Sequence, residues 1–310
     1  MKKKIVFMGT PIFATAVLNA LLDIDVEVVA VVTQPDKKVG RKQVLSAPPV
    51  KLLALEHQIP ILQPIRVIDC LNTLKDYKPD AIVTCAYGMF LPQEILDVPL
   101  IECINVHASL LPKYRGGAPI HRAVMAGEQE TGISLMRMIK KMDAGEVFVK
   151  EAIMIGSSDT TSDVHDHLMV LANRMVKEHL LDILNLRIAP TAQDESLATF
   201  APIITAEDEH INLAKDGETI YNQIRGLIKF PYGYVIINNL KVKIIEADFV
   251  KKAHNSDINT VVGFDDDAMI VAVNDGVLII KKLQIQGKTI MDASQVKHGL
   301  GKKWIGLEVK

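Results

Sequence analysis

The chain has little cysteine. Its 310 residues include Cys70, Cys85 and Cys103 only. That odd number, with no C-x-x-C pair, argues against a disulfide frame and against a zinc site. The three lie in or near apolar stretches and read as buried thiols of a reducing compartment. Net charge is nearly absent as well: 35 Lys and Arg against 37 Asp and Glu give −2. No global basic field draws in nucleic acid, so any RNA contact has to come from a local patch. No apolar stretch is long enough to span a membrane. The run Ile5–Gly9 after Met-Lys-Lys-Lys resembles the start of a secretory leader, but it ends at Gly9-Thr10-Pro11 and reads better as a first strand. A cytoplasmic protein with no membrane partner is expected. The dinucleotide fingerprint G-x-G-x-x-G is missing. So are internal repeats, low-complexity tracts, metal-ligand spacings, and any Ser or Cys in an activating setting.

What is present is 49% hydrophobic residues, enough for a large core, and a length that favours two domains over one. Short apolar runs at Lys4–Gly9, Val26–Thr33, Ala81–Ala86 and Ile101–Val106 read as buried strands. Helical spacing falls between them, over Phe13–Leu22 and Pro49–Gln58, with Thr10 as a candidate N-cap and Pro11 as the first helical residue. Gln34–Pro49 reads as a loop, broken by Pro35, Gly40, Pro48 and Pro49, and Ile61 begins a further short strand. Ala118–Ala126 and Thr161–Ile183 are expected helices, with Ser162 as the cap of the second, and Gly132–Met138 an expected strand. This alternation predicts an α/β fold: a doubly wound, Rossmann-like, mostly parallel sheet. Loop-rich residues 189–206 read as a linker between a catalytic domain at 1–188 and a second domain at 207–310. In the latter, a helix at Gly217–Ile228 precedes short strands at Gly233–Ile237, Lys241–Phe249, Thr260–Asp265, Ala268–Ala272 and Val277–Gln284. These predict a small, OB-like C-terminal β-barrel.

Chemistry concentrates in Asn105-Val106-His107-Ala108-Ser109-Leu110-Leu111-Pro112, followed by Arg115-Gly116-Gly117 and, later, Asp143-Ala144-Gly145. Residues i and i+2 of a strand point to one face, so Asn105 and His107 can aim at one small group. An amide donates to a carbonyl oxygen, and an imidazole stabilises negative charge or carries a proton. A carboxylate at Asp143 would orient the imidazole and favour its charged form. Such a trio suits transfer of a carbonyl-containing group to an amine through a tetrahedral intermediate. Two other clusters read as ordinary structure. Asp163-Val164-His165-Asp166-His167 resembles a metal site, yet on a helix only Asp163 and His167 share a face. Asp265-Asp266-Asp267 sits between strands and reads as a hairpin turn.

Asn105-x-His107-x-Ser109-Leu110-Leu111-Pro112-x-x-Arg115-Gly116 with Asp143-x-Gly145 resembles the 10-formyltetrahydrofolate-dependent formyltransferases, from about Lys4 to about Trp304. The loop Thr33-Gln34-Pro35-Asp36 with Gly40-Arg41, the segment Cys85-Ala86-Tyr87-Gly88 to Leu91-Pro92, and the β-rich second domain resemble the branch that formylates initiator methionyl-tRNA. The resemblance implies Asn105, His107 and Asp143 as the catalytic trio. It implies folate contacts at Ser109, Leu110, Leu111 and Pro112, and at Tyr87, Gly88, Met89 and Leu91. 10-Formyltetrahydrofolate would be the formyl donor and co-substrate, without a metal, and the chain would act as a monomer. The stretch 37–42 holds the cations Lys37, Lys38, Arg41 and Lys42, which on composition alone read as solvated surface. The resemblance makes them candidate tRNA contacts, on a mobile loop that orders on binding. From Lys281 on, seven lysines against two acids point to a basic face on the second domain. A small amine acceptor on the same fold, and a non-catalytic RNA-binding protein, are the alternatives. The first would not need the basic stretch, and the second would not need the trio.

Overall fold

A computed structural model describes residues 2–40, 43–265 and 267–310. The chain divides into two compact units. The first takes the residues up to Pro119 with Glu130–Ile153 and His165–Ala201, and the second takes Ile120–Gln129, Met154–Val164 and Pro202–Lys310.

The first unit is built on a seven-stranded sheet. Its strands are β1 (Lys3–Gly9), β2 (Val26–Val32), β5 (Ile61–Leu62), β6 (Ala81–Cys85), β7 (Glu102–His107), β8 (Glu130–Arg137) and β9 (Val147–Met154), in the order β5-β2-β1-β6-β7-β8-β9. β3 (Lys37–Val39) and β4 (Val44–Ser46) form a separate antiparallel hairpin. β1 pairs in parallel with both β2 and β6, and β6 with β7, while β7 and β8 run antiparallel. The expected mostly parallel sheet is therefore present. Its central strands are apolar on both faces because both faces are covered: Ile5, Val6, Phe7 and Met8 are all fully buried. The helices of the first unit are α1 (Ile12–Asp23), α2 (Pro49–Glu56), α3 (Leu71–Tyr77), α4 (Gln93–Leu96) and, from His165 on, α6 (Thr161–Leu184), whereas α5 (Pro119–Met125) belongs to the second unit past its first residue. Chain order reverses at β1, which has β2 on one side and β6 on the other. In open α/β sheets that reversal opens a crevice beyond the carboxyl ends of the strands.

Three local expectations change. Thr10 does not cap α1: Pro11 occupies the cap position, and the Thr10 hydroxyl donates instead to the Tyr87 carbonyl at 2.9 Å. Ser162 lies inside α6. The reciprocal cap is made by Thr160, whose N–H donates to Asp163 Oδ2 at 2.9 Å while Asp163 N–H donates back to the Thr160 hydroxyl at 3.3 Å. The 34–49 stretch is not all loop, because β3 and β4 pair Lys37 with Ser46, Lys38 with Leu45 and Val39 with Val44.

The second unit carries a curled antiparallel sheet. Its strands are β10 (Tyr234–Ile237), β11 (Leu240–Lys251), β12 (Thr260–Asp265), β13 (Ala268–Val273), β14 (Gly276–Ile285) and β15 (Met291–Asp292). The order is β10-β11-β14-β13-β12, with β15 added on β14. β10 and β12 are not neighbours, so the expected barrel is a half-barrel. The chain end lies against both edges: Lys310 N–H donates to the Ile236 carbonyl at 2.9 Å, and Val309 N–H to the Asn259 carbonyl at 2.7 Å. Unpaired strand edges are thereby covered. Helix α7 (Gly217–Gly226) starts at Asp216, whose carboxylate accepts from Thr219 N–H at 3.0 Å. The core gathers Ile220, Ile224, Val242, Ile244, Leu283 and Trp304. Asp265 pairs with Ala268 across the expected turn, of which Asp266 lies outside the described residues.

Candidate active site

β7 carries Asn105 and His107 to the carboxyl end of the sheet, as their i, i+2 spacing predicts. Asn105 lies opposite Thr84 of β6 in the parallel register. The Thr84 hydroxyl, 3% exposed, donates to Asn105 Oδ1 at 2.8 Å. The amide oxygen is thus occupied from behind, and the NH2 is the end left to donate elsewhere. His107 is buried, with Nε2 3.1 Å from the Tyr114 carbonyl and Nδ1 3.7 Å from Asp143 Oδ2. Nε2 thus lies within hydrogen-bond reach of a carbonyl, while Nδ1 faces the carboxylate at ion-pair distance.

Asp143 sits between β8 and β9 with φ at 49°, in the left-handed region. Its Oδ2 accepts from Gly116 N–H at 2.8 Å. Gly116 itself has φ at 126°, and a Cβ there would lie 2.6 Å from the Ala201 carbonyl oxygen, so only glycine fits this approach. Arg115, next to it, is 1% exposed. Its guanidinium makes a two-pronged pair with Glu195, Nη2 to Oε1 at 2.8 Å and Nη1 to Oε2 at 3.2 Å. The Arg115 hydrogen bonds, and then Lys141, hold the Glu195 carboxyl down at about 2.

The candidate folate residues divide by exposure. Ser109, Leu111, Tyr87 and Leu91 have buried side chains, whereas Leu110, Pro112 and Met89 are half-buried and Gly88 is exposed. Ser109 turns its hydroxyl to the Lys113 carbonyl at 2.7 Å. Ser134 takes the Ser109 carbonyl at 2.7 Å and accepts from Leu111 N–H at 3.1 Å. The Tyr87 ring packs in the core, where burial pushes its phenol up and its hydroxyl has no hydrogen-bond partner among the described residues. Its carbonyl is the part that faces neighbouring loops, accepting from Thr10 at 2.9 Å and from Gln34 Nε2 at 3.1 Å. Gln34 also reaches the Gly88 carbonyl at 3.2 Å. The ends of β1, β2 and β6 are laced together at the chain reversal.

Of the candidate tRNA contacts, Lys37 and Lys38 lie exposed on β3, with Lys37 Nζ bonded to Gln34 Oε1. Arg41 and Lys42 lie outside the described residues. The basic face expected from the C-terminal lysines is partly neutralised: Lys281 pairs with Asp248, Lys282 with Glu246 and Lys310 with Glu308. The apparent metal cluster at 163–167 is absorbed by structure. Asp163 caps α6, and His165 packs edge-on against Phe13 at 5.2 Å. Glu151, Glu178 and His179 do come together, but Glu151 is held by Arg174 at 2.6 Å and by His179 at 3.3 Å. That is an ion-pair network in its own right.

Sequence reasoning missed three residues that build the site: Thr84, Arg115 as a buried side chain, and Gln193. Gln193 falls in the stretch read as linker, yet its Nε2 donates to the Asp143 carbonyl at 2.8 Å and to the Gly145 carbonyl at 2.6 Å. The sequence carried no signal for it, because most residues from Asp194 to Thr199 are exposed and polar, as a linker's are.

Residues 2–180 match the family described as Formyl transferase, and residues 203–301 match the Formyl transferase C-terminal domain. A methionyl-tRNA formyltransferase of Malacoplasma penetrans is 44% identical over 308 residues, covering 99% of this chain and 97% of its own. Among solved structures, an N-formyltransferase from Helicobacter canadensis in complex with folinic acid and dTDP-3-aminofucose superposes with a TM-score of 0.70 at 20% identity, over 90% of this chain and 98% of that one. HypX from Aquifex aeolicus reaches a TM-score of 0.68 at 17% identity over 99% of this chain, which spans about half (49%) of HypX. These two likenesses establish the fold. The full-length identity establishes more: the chain belongs to the methionyl-tRNA formyltransferase family.

Proposed function

We propose that this chain moves the formyl group of 10-formyltetrahydrofolate to the α-amine of methionine on initiator methionyl-tRNA, with Asn105, His107 and Asp143 as its catalytic residues. The observation that carries the reading is the approach of His107 and Asp143 at 3.7 Å beside Asn105 on one strand end. The amine attacks the formyl carbon directly, the bond from that carbon to N10 breaks, and a proton passes from the amine to N10. The Asn105 NH2 and the His107 ring stabilise the oxyanion as it develops. Asp143 orients His107 and assists the proton transfer. The rest of the acceleration comes from holding two substrates together. Ser109–Pro112 and Tyr87–Leu91 are the proposed folate walls. Gly88, Met89 and Leu110 offer the accessible surface. Lys37, Lys38, Arg41 and Lys42 are the proposed tRNA contacts on the first unit, with residues 207–310 as a further RNA-binding unit. The chain acts as a monomer in the cytoplasm.

The test is formylation by the purified chain. Methionyl-tRNA is expected to be formylated from 10-formyltetrahydrofolate far faster than methionine amide or an amino sugar. Equal rates on the free amines would replace the tRNA reading with a small-amine acceptor, and no turnover on any of them would remove the catalytic one.

A further inference from the structure

We infer that Gln193 is a positioning residue for formyl transfer, holding the Asp143 turn so that its carboxylate faces His107. The inference rests on the catalytic reading above.

Asp143 adopts φ 49°, a conformation that costs a non-glycine residue energy and persists only where its surroundings impose it. The Gln193 side chain does so from one side. Its single NH2 spends both hydrogens on the turn, one on the Asp143 carbonyl at 2.8 Å and one on the Gly145 carbonyl at 2.6 Å. Its oxygen is gripped in turn by Arg115, Nε at 3.1 Å and Nη2 at 2.8 Å. Arg115 is 1% exposed and anchored by Glu195, and the residue after it supplies the N–H that meets Asp143 Oδ2 at 2.8 Å. A closed circuit results: from the Asp143 carboxylate through Gly116 to the Arg115 guanidinium, through the Gln193 amide, and back to the Asp143 carbonyl. Gly145 closes the turn against β8, where a Cβ would collide with the Arg137 carbonyl. The segment carrying Gln193 is itself fixed by backbone pairing: Arg115 N–H donates to the Thr199 carbonyl at 2.9 Å, and Ala201 N–H to the Arg115 carbonyl at 2.7 Å.

Only an amide of this length serves. A carboxylate has no hydrogen to give the two carbonyls, and an asparagine lacks the methylene that spans the gap. Gln193→Glu therefore keeps the shape and the Arg115 contact while removing both donors. The experiment compares wild type, Gln193→Glu, Gln193→Met and Asp143→Asn in single-turnover formylation from pH 6 to 9, with folate binding by titration and thermal melts alongside. Gln193→Glu is expected to lower the chemical step about tenfold or more. Substrate affinities should stay within about threefold, and the pH–rate curve should move in the same direction as in Asp143→Asn. Adding Gln193→Glu to Asp143→Asn should cost little more, because both act through one group. A lowered melting temperature with kcat and the pH–rate curve unchanged would overturn the inference and leave Gln193 a structural link. If Gln193→Glu fails to fold, Gln193→Met decides by the same split. Absence of formyl transfer in the wild type would instead overturn the catalytic reading, and so the two failures are told apart.

Discussion

The two units bury polar groups for opposite ends. In the first, Thr84, His107, Ser109, Arg115 and Ser134 are all under 7% exposed and cluster around the end of β7. Thr84 bonds Asn105, His107 meets the Tyr114 carbonyl, Ser109 and Ser134 bond the turn after β7, and Arg115 bonds Gln193, which holds the Asp143 turn. In the second, the centre is aliphatic around Trp304, and the buried Gln223 and Arg225 spend their donors on backbone carbonyls, of Asp208 and His210 and of Asp159, while surface charges pair with one another, as Lys281 does with Asp248. A parallel sheet collects the carboxyl ends of its strands, and the loops that follow them, on one side. A curled antiparallel sheet alternates strand direction and has no such side. Buried polar groups therefore gather around the candidate chemistry in the first unit and satisfy backbone carbonyls in the second, and in both these side chains offset their desolvation by hydrogen bonds.

The largest expected effect tests the aliphatic unit. Trp304 is fully buried and its indole N–H finds no acceptor among the described residues. Trp304→Ala should remove about 3–5 kcal/mol of stability, read by denaturant unfolding. Trp304→Phe should cost clearly less, because it also removes an unsatisfied donor. If it costs as much, that N–H has a partner and the contrast weakens. Next comes the polar unit. His107→Ala should slow the single-turnover step by about 10² to 10³ and leave folate binding and the melting temperature near wild type. Loss of the fold instead would make its burial structural. Asp143→Asn should follow at about 10², with a displaced pH–rate curve. An identical curve would reduce Asp143 to a turn residue.

A charged pair in the second unit supplies a smaller, pH-dependent effect. Arg122, hydrogen-bonded to both carboxylate oxygens of Asp208, holds that carboxyl down to about 2, against the partial opposition of burial. A carboxyl lowered in the folded state contributes stability at pH values above its ordinary 3.8, and the contribution is lost as pH falls toward 2. Asp208→Asn should cost about 2 kcal/mol at pH 7, and its gap to wild type should narrow between pH 4 and 2 in melting curves. A constant gap would show that the pair does not titrate. Smallest is the surface of β3. Lys37→Ala with Lys38→Ala should flatten the salt dependence of tRNA formylation by about one to two slope units. Arg41→Ala should slow formylation of tRNA while sparing folate binding. Unchanged salt dependence would make these residues solvated surface, as their composition alone suggests.

Much of the site was legible because it is local. The apolar runs marked β1, β2, β6 and β7 to within a residue or two, and the two-residue step from Asn105 to His107 placed both on one face without any tertiary knowledge. Boundaries failed where a side chain had a better partner elsewhere. Thr10 leaves its helix for the Tyr87 carbonyl, 77 residues away, and Ser162 yields to the Thr160–Asp163 cap. The resemblance offers Tyr87 as a folate contact, and its ring packs into the core while its carbonyl meets Thr10 and Gln34.

The sequence by itself marked the central strands β1, β2, β6 and β7, the helices between them and the strands of the second unit, and it offered the residue types of the candidate trio, because periodicity and turn chemistry act over a few residues. Only the tertiary structure decided how Asp143 is held at His107, that Thr84 occupies the Asn105 oxygen, and that the Gln193 segment, linker by composition, locks the turn. It also decided that lysines read as a basic face are paired with acids on β11. Those partners lie tens of residues apart in the chain, and a contact across such a distance is set by which buried polar group finds which acceptor once the sheet has closed.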